Sequence, residues 1–346
     1  MLLLAIESSC DDTSFAIGSY ENSRFRLESV VVSSQTEIHQ KFGGVVPNLS
    51  AREHLKRFKP LLQQVLGEAK VELSQLDAIC VVPGPGLIPS LLVGVSIAKT
   101  LAYRLTKPLI PVHHIEGHIY SNWLGDADGL KNIAFPALAL VVSGGHTQLI
   151  FMKEHLDYKI IGDTKDDAAG EAFDKVARML DLGYPGGPVI SKLALSGDPT
   201  AFEFPRGMLR SGDLNFSFSG LKTAVLYTIQ KSDSIRNSPE FLPNISASFQ
   251  QAVIDVLCQK TAHAISKLNP NSLLLAGGVA ANTALRKEFE GLLPGRVFVP
   301  NLDFCSDNAA MQLPAAFQKV GKFGLAAYRN GWLSVSADAN LQLGLA

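Results

Sequence analysis

The sequence predicts an α/β fold built from a duplicated unit, and two observations support this prediction. An apolar strand, a polar turn, a returning strand and a third strand, followed by helices, occur once from Met1 and again from Phe135. The two copies share no fixed sequence period, so they indicate a duplicated architecture and not a repeat array. At 346 residues the chain is also long enough for two domains or two lobes of one unit.

Composition narrows the class of protein. Hydrophobic residues make up 47% of the chain and charged residues 18%, which is typical of a compact globular protein. The net charge of −1 argues against a global basic field, so nucleic-acid binding would need a local patch or a partner. The four cysteines lie far apart and include no Cys-x-x-Cys pair, which favours reduced thiols in a cytoplasmic protein.

No segment has the pattern of a leader peptide or a membrane span. The apolar start Met1–Ile6 lacks a basic residue and is stopped by Glu7, well short of a signal peptide. The longest hydrophobic window, Leu87–Ala98, contains Pro89 and is too short to cross a bilayer. We therefore expect a cytoplasmic protein without a membrane partner.

The first copy begins with three strands around an acidic turn. We predict a buried strand at Leu2–Glu7, its return partner at Ser14–Gly18 and a third strand at Leu27–Ser34. The turn Ser8–Thr13 between the first two strands carries two carboxylates and three hydroxyls. In a nucleotide-binding fold such a turn lies against phosphate or metal, but an ordinary Asx hairpin explains it equally well.

Helices and strands then alternate along the first half. The Ser50–Glu53 sequence matches a capping box and predicts an amphipathic helix that ends at Gly67, with a bend at Pro60. A strand at Asp77–Val82 leads through a Pro-Gly turn into a helix at Ser90–Arg104. The first helix also carries a basic face, which suits solvent or else an RNA or acidic partner: Arg52, Lys56, Arg57 and Lys59.

His114 and His118 form the pattern in the first half that points most directly to chemistry. Four helical steps of about 100° place both imidazoles on one side of a helix, with Cβ atoms roughly 5–6 Å apart. The pair suits zinc, iron, copper or nickel, but a single pair of this kind is more often an accident of sequence, and no third ligand lies nearby. Glu116 points to the opposite face, and Ile115 occupies the place where zincin proteases carry their glutamate.

The second copy follows a polar hinge predicted at Asp126–Asn132. Its three strands are predicted at Phe135–Val142, Gln148–Met152 and Tyr158–Ile161, with a glycine turn at Ser143–Thr147. Two such copies facing one another would place their turns on opposite walls of one cleft.

Later stretches carry further candidates, each with a plain structural alternative. Asp174 lies beyond the first turn of a predicted helix, where capping does not explain it. The Tyr184–Pro188 loop could bring bare backbone near a ligand or be a plain turn. Asn282, which follows the strand Ser272–Ala276 and two glycines, suits an adenosine held by its amide or an ordinary helix N-cap. Asp307 starts a predicted helix, where an N-cap is again the alternative.

Together these motifs resemble the bacterial TsaD family of tRNA N6-adenosine threonylcarbamoyltransferases, once described as O-sialoglycoprotein endopeptidases. The resemblance covers nearly the whole chain and implies the two-lobed α/β fold of actin, hexokinase and the sugar kinases. It implies a first lobe at 1–112, a second lobe at 113–306, an active cleft between them, and a C-terminal helix from about 307 that packs back on the first lobe. The motifs that carry the resemblance are Glu7–Thr13, His114–His118, Val142–His146, Glu171–Lys175, Tyr184–Pro188, Gly277–Asn282 and Cys305–Met311.

The resemblance also implies a metal site and a substrate site. One divalent ion, iron by preference and zinc as the alternative, would be held by His114, His118 and Asp307. Asp11 would act as a base or an orienting group for the incoming amine. The substrate site would be lined by Val141, Val142, Ser143, Gly144, Gly145, His146, Asp174, Gly187 and Asn282.

The implied reaction moves the threonylcarbamoyl group from threonylcarbamoyl-adenylate to N6 of the adenosine beside the anticodon, in tRNAs that read codons starting with A. The family works with a TsaB-like paralogue and a TsaE-like ATPase. A metalloprotease, a kinase or ATPase of the same fold, and a non-catalytic scaffold are the alternatives. Departures from the family pattern leave the metal ligands intact and bear on lobe closure and partner contacts: Asn48, Val82, Pro89 and Ser90.

Overall fold

The computed structural model describes residues 1–21, 24–125, 132–232 and 238–344. Apart from Asn132, the predicted hinge Asp126–Asn132 lies outside the described residues. The chain divides into two units, and unit 2 is inserted in sequence within unit 1. Unit 1 comprises Met1–Ile133, His155–Tyr158 and Pro300–Ala346, and unit 2 comprises Ala134–Glu154 and Lys159–Val299.

Unit 1 begins with five strands and four helices. The strands are β1 (Leu2–Glu7), β2 (Asp12–Glu21), β3 (Arg24–Ser34), β4 (Ala78–Val81) and β5 (Leu109–Pro111). The helices are α1 (Thr36–Gln40), α2 (Pro47–Ala69), α3 (Ile88–Leu105) and α4 (His114–Tyr120). The strands form one sheet in the order β3-β2-β1-β4-β5, antiparallel from β1 to β3 and parallel from β1 to β5. The predicted first strand therefore lies at the centre of its sheet.

Helices α2 and α3 bury their apolar faces in the core of unit 1. Phe58 of α2 packs edge-on against Phe15 of β2, with the ring centroids 4.7 Å apart. Val95 and Ala98 of α3 are buried in the same core as Ile6 of the central strand. The central strands β1 and β4 are buried along almost their whole length, which explains why both are continuous apolar runs rather than alternating ones.

Helix α3 has 18 residues and is therefore longer than the hydrophobic window predicted from sequence. Among the described residues it alone is long and apolar enough to cross a membrane. Its Leu91, Val95, Ala98 and Ala102 are buried in unit 1. A core helix has this composition too, so length and hydropathy do not make α3 a membrane span.

Unit 2 repeats this plan. Its strands are β6 (Ala137–Val142), β7 (Thr147–Met152), β8 (Tyr158–Asp163), β9 (Ser272–Ala276) and β10 (Val297–Phe298). Its helices are α5 (Ala169–Met179), α6 (Gly186–Ala194), α7 (Ser219–Lys231), α8 (Phe241–Leu268) and α9 (Thr283–Glu290). The order β8-β7-β6-β9-β10 matches that of unit 1 strand for strand, with β6 antiparallel to β7 and parallel to β9. The predicted duplication is confirmed.

The chain ends in unit 1 with two further helices, α10 (Gln312–Phe323) and α11 (Gly331–Ser334). The helix predicted from about 307 thus begins at Gln312. The residues before it form turns, in which the Asn308 side chain accepts a hydrogen bond from Met311 N–H. Asp307 is therefore not the N-cap of this helix.

Helix α4, predicted to open the second lobe, lies in unit 1. The reason is its packing against α10: Gly117 faces the Met311 side chain, and buried Glu116 forms an ion pair of 3.0 Å with buried Lys319. The boundaries predicted after residues 112 and 306 fall instead after Ile133 and Val299.

Candidate metal centre and substrate loops

Helix α4 presents the two histidines of the predicted metal site. His113 is its N-cap: the ring Nδ1 accepts from Ile115 N–H, and the Glu116 carboxylate accepts from His113 N–H in return. This capping box fixes the first turn, in which His114 lies. Every residue of α4 is buried, so both imidazoles are removed from bulk water.

Asp307 comes to the same point from the turns before α10. Its Oδ1 lies 3.2 Å from His118 Nε2 and 3.7 Å from His114 Nε2. Ligand atoms held tetrahedrally at 2.0–2.1 Å from zinc would lie about 3.3 Å apart. The three side chains therefore have the spacing of a metal-ligand set, and the prediction that joined them across the sequence agrees with the geometry.

His118 itself supports a cation at this place. Its side chain is fully buried, Nδ1 has no hydrogen-bond partner among the described residues, and Nε2 meets Asp307 Oδ1 at 3.2 Å without making a hydrogen bond. A buried polar group without a hydrogen bond costs about 1–3 kcal/mol, and coordination of a metal by Nε2 would give this nitrogen a partner. The residues present thus fit a divalent ion.

His114 lies between two carboxylates. Its Nδ1 is 3.2 Å from Ser9 Oγ and 3.6 Å from Glu7 Oε2, while Nε2 faces Asp307. Burial alone would lower the pKa of His114, but the charges of Asp307 and Glu7 outweigh it and raise the pKa to about 9. Since a metal binds neutral imidazole, binding here would release a proton.

Glu116 points away from this cluster, as its helical position predicts. Its carboxylate accepts from the Tyr158 hydroxyl at 2.7 Å and pairs with Lys319. The glutamate of a zincin protease would instead lie at the metal, so this arrangement gives no support to the protease alternative.

The acidic turn adds two further carboxylates. Burial raises the pKa of Asp11, with a further rise from Asp307, while a hydrogen bond from the Cys10 thiol partly offsets both. Burial and the Asp307 charge raise the pKa of Asp12 to about 7. Asp11 is thus coupled electrostatically to the metal ligands, and several carboxylates in one buried region favour a cation among them.

A serine and a histidine of α2 hold this turn, and sequence reasoning missed both roles. His54 Nδ1 lies 2.7 Å from Thr13 Oγ1, and its Nε2 lies 3.0 Å from the Cys10 carbonyl oxygen. Ser50 donates to the same carbonyl at 2.6 Å. The predicted capping box was wrong, because α2 already begins at Pro47 and the Ser50 hydroxyl is used by the turn. The i, i+4 spacing of Ser50 and His54 is the signal that could have indicated a shared face.

The departures from the family pattern have ordinary places in unit 1. Ser90 is fully buried; its hydroxyl donates to Ser50 Oγ at 3.1 Å, and its carbonyl accepts from Ser8 Oγ. Pro89 occupies the first turn of α3, where proline is tolerated. Asn48 is exposed in the first turn of α2, and Val82 is buried just after β4. None touches a metal ligand.

In unit 2 the predicted glycine turn joins β6 to β7. Ser143 N–H bonds to the His146 carbonyl, and His146 N–H bonds to Ser143 Oγ. Gly144 and Gly145 at its tip are exposed, with open space where a side chain would begin. The preceding Val141 and Val142 are buried in β6. The substrate residues predicted in this stretch therefore lie partly in the buried end of a strand and partly in a turn whose tip has no side chains.

Two further predicted residues lie on neighbouring helices of unit 2. The Asp174 carboxylate accepts from Gly186 N–H at 2.7 Å and so joins α5 to the start of α6. Gly187, the next residue, has open space around it. Helix α5 also meets the glycine turn, since Gly170 N–H donates to the Ser143 carbonyl at 3.2 Å. Backbone contacts thus bring these elements together.

Asn282 is the N-cap of α9, which was the plain alternative for this residue. Its Oδ1 accepts from Leu285 N–H at 3.0 Å. Both amide hydrogens are used as well, by Ser191 Oγ at 2.9 Å and by Gln250 Oε1 at 2.7 Å. Ser191 and Gln250 were not predicted, because no local pattern links α6 and α8 to α9.

Comparison with known proteins gives the family. The sequence matches the TsaD model, described as tRNA N6-adenosine threonylcarbamoyltransferase, over residues 26–313. Proteins of that name are similar over almost their whole length. The one from Thermosipho africanus is 48% identical over 99% of this chain and 98% of its own, and the one from Anoxybacillus flavithermus is 49% identical over 90% and 89%.

Solved structures show the fold. Full-length HypF in a phosphate- and nucleotide-bound form has a TM-score of 0.58 at 13% identity, over 93% of this chain and 47% of its own. Component A of the (R)-2-hydroxyglutaryl-CoA dehydratase of Acidaminococcus fermentans has a TM-score of 0.51 at 11% identity, over 96% and 99%. These neighbours confirm the predicted α/β fold of the actin and hexokinase type. By sequence, the chain belongs to the TsaD family of tRNA N6-adenosine threonylcarbamoyltransferases.

Proposed function

We propose that this chain transfers the threonylcarbamoyl group from threonylcarbamoyl-adenylate to N6 of the adenosine next to the anticodon, in tRNAs reading codons that start with A. The observation that carries the proposal is the cluster of His114, His118 and Asp307, taken with the reaction named for the relatives. Three protein ligands leave coordination positions open, as in catalytic metal sites. A bound divalent ion, iron by preference and zinc as the alternative, would act there as a Lewis acid on the carbamoyl or phosphoryl oxygens.

Asp11 is the proposed base or orienting group for the incoming amine. Burial raises its pKa above that of an exposed aspartate, which makes it a better proton acceptor near neutral pH. An amine that attacks an activated mixed anhydride needs positioning more than it needs a strong base. We therefore expect Asp11 to act chiefly by holding the amine in place.

The loops of unit 2 are the proposed adenylate site. Among the described residues no hydrogen bond engages the N–H groups of Gly144 and Gly145, so both can stabilise negative charge that develops on the substrate. Gly187 offers a second stretch of bare backbone. The residue before it, Gly186, is fixed by the hydrogen bond that its N–H donates to the Asp174 carboxylate. Because Asn282 uses both amide hydrogens within unit 2, a ribose hydroxyl would have to donate to its Oδ1.

Binding of tRNA is proposed to depend on partners. The chain is nearly neutral, and two of the four cations on the basic face of α2, Lys56 and Arg57, pair with Glu53. Glu53 offsets only one of these four positive charges, so the face keeps a net charge of +3 (4 minus 1), which is a small patch for phosphate on a nearly neutral chain. A TsaB-like paralogue and a TsaE-like ATPase in the cytoplasm would supply the missing basic surface and allow repeated catalytic cycles.

Replacing His114 by alanine tests the proposal. We expect His114→Ala to lose bound metal and to lose tRNA modification, measured by metal analysis and by mass spectrometry of tRNA nucleosides in the presence of the partners. Full metal content together with full modification in this variant would refute the metal-assisted mechanism. Turnover of ATP by the isolated chain at ordinary enzyme rates, about 1–1000 per second, would instead favour a kinase or ATPase.

A further inference from the structure

Glu7 is a charged residue at the end of the central strand of unit 1, and nothing above gives it a role beyond its electrostatic effect on His114. Its side chain is fully buried. Oε1 accepts from Ser9 N–H at 2.7 Å, and Oε2 accepts from Gln312 Nε2 at 3.1 Å. These two neutral donors fix the carboxylate in one orientation, with Oε2 3.6 Å from His114 Nδ1.

The charge of Glu7 has an unusual neighbour. A buried carboxylate is costly unless a positive charge lies close to it. Within the described ranges no lysine or arginine lies at ion-pair distance from Glu7, and the group that does is the imidazole of His114. A metal ion on the far side of this ring would supply the compensating positive charge.

The two nitrogens of His114 face different groups. Nε2 faces Asp307, and Nδ1 faces Glu7 and Ser9. Ser9 Oγ is the nearer of the two, but a hydroxyl can either donate or accept and so selects no tautomer. A carboxylate can only accept, so it favours the tautomer with hydrogen on Nδ1 and a lone pair on Nε2, directed to the metal position.

We propose that Glu7 is a positioning residue of the metal site, which fixes the ring and tautomer of His114 and increases metal affinity through its negative charge. His118 has no such group, since its Nδ1 meets no hydrogen-bond partner among the described residues. The two histidine ligands are therefore unequal, and His114 is the one that the protein orients.

The inference rests on the metal site of the proposed function, but its test measures metal affinity and not tRNA modification. The full-length Glu7→Gln variant keeps the size of the side chain and removes its charge. We expect its dissociation constant for Co²⁺ or Zn²⁺, measured by competition with a chelator, to rise about 10–100-fold. The visible spectrum of the Co²⁺-loaded variant should differ from that of the parent, because the ring at one ligand is no longer fixed.

Glu116→Gln is the matched control. Glu116 is a second buried carboxylate, on the same helix as the ligands, but it is directed to Tyr158 and Lys319, and a glutamine can still accept from His113 N–H in the capping box. We expect this variant to lose stability without the change in metal affinity. Glu7→Asp serves if Glu7→Gln does not fold, since it keeps the charge and withdraws it from Nδ1; its dissociation constant should lie between those of the parent and Glu7→Gln.

The possible failures are distinguishable. Parental affinity in Glu7→Gln, or in Glu7→Asp if only that variant folds, would overturn the inference while leaving the proposed function intact, provided that His114→Ala has lost the metal. An equal loss of affinity in Glu116→Gln would also overturn it, because the effect would then be one of general stability. Retention of metal by His114→Ala would overturn both the inference and the metal-assisted mechanism.

Discussion

The turns Ser8–Asp11 and Ser143–His146 occupy the same place in two sheets of the same strand order, yet they are built from different chemistry. Each follows the central strand and precedes its antiparallel partner. The first turn carries the partly buried Asp11 carboxylate, with that of Asp12 beside it, and is held by side chains such as His54. The second ends in exposed glycines with open space around them. One scaffold thus places charge in unit 1 and bare backbone in unit 2, so similar substitutions should act differently in the two.

The largest difference is expected for metal content. Asp307→Asn removes a negative ligand from unit 1 and should abolish stoichiometric metal binding, measured on the purified protein after gel filtration. Asp174→Asn makes the same chemical change in unit 2, where the carboxylate bonds Gly186 N–H, and should leave metal content unchanged. Equal losses of metal in both variants would contradict the proposed difference between the two units.

The next expected difference is the loss of stability of unit 1 in acid, part of which we assign to His113. Burial lowers the pKa of His113 from 6.5 to about 4. The folded state therefore resists protonation, so this contribution to stability is fully present above pH 6.5 and is lost as the pH falls towards 4. The shift corresponds to about 3 kcal/mol.

The His113→Asn variant isolates this contribution, because asparagine caps a helix and does not titrate. The free energy of unfolding of the parent, relative to the variant, should fall by about 3 kcal/mol between pH 6.5 and 4. Urea denaturation at several pH values measures it. Parallel pH curves for the two proteins would show that the buried ring has no such effect.

Replacing one glycine by alanine in each unit should give a smaller difference between the units. A Cβ at Gly86 would lie 2.5 Å from the carbonyl oxygen of Ser9, so Gly86→Ala should destabilise unit 1 by about 1–3 kcal/mol. Gly144→Ala meets open space and should change stability by less than about 0.5 kcal/mol. We expect it to lower kcat/KM for the adenylate by about 10-fold, measured by nucleoside analysis. A stable Gly86→Ala protein with an unchanged turn would contradict the first expectation.

The smallest expected effect belongs to Ser90. Ser90→Ala removes one buried hydrogen bond to Ser50, whose hydroxyl keeps its bond to the Cys10 carbonyl. We expect a loss of about 1 kcal/mol in thermal or urea denaturation and little change in activity. A large loss of activity would mean that the acidic turn depends on this hydroxyl.

The sequence predicted the sheets well, for physical reasons, and it joined three residues that the structure brings within ligand spacing, whose metal role stays a prediction. Strands such as β1 and β9 are continuous apolar runs between turns, and both have the predicted bounds. The i, i+4 spacing of His114 and His118 placed them together once α4 was helical. Asp307 came only from the resemblance, since no local rule joins residues so far apart.

What the sequence missed depends on contacts between distant residues. Ser50 matches a capping box, but a carbonyl 40 residues away binds its hydroxyl more favourably than the helix end does. Glu7 ended an apolar strand and opened the Glu7–Thr13 motif, but no role was predicted for it, because its relation to His114 needs the folded sheet. The start of α10 was placed too early, since the Cys305–Met311 turns use their polar side chains locally, as helix caps do.

The insertion of unit 2 within unit 1 has a consequence for synthesis of the protein. Asp307 follows His118 by 189 positions (307 minus 118), and the whole of unit 2 is made between them. At about 5–20 residues per second, the ribosome adds Asp307 roughly 10–40 s after both histidines have been made. Unit 2 is contiguous in sequence except for the segment His155–Tyr158, which belongs to unit 1, so unit 2 can fold in that interval. The nascent chain therefore contains the proposed substrate loops before it has the complete set of candidate metal ligands.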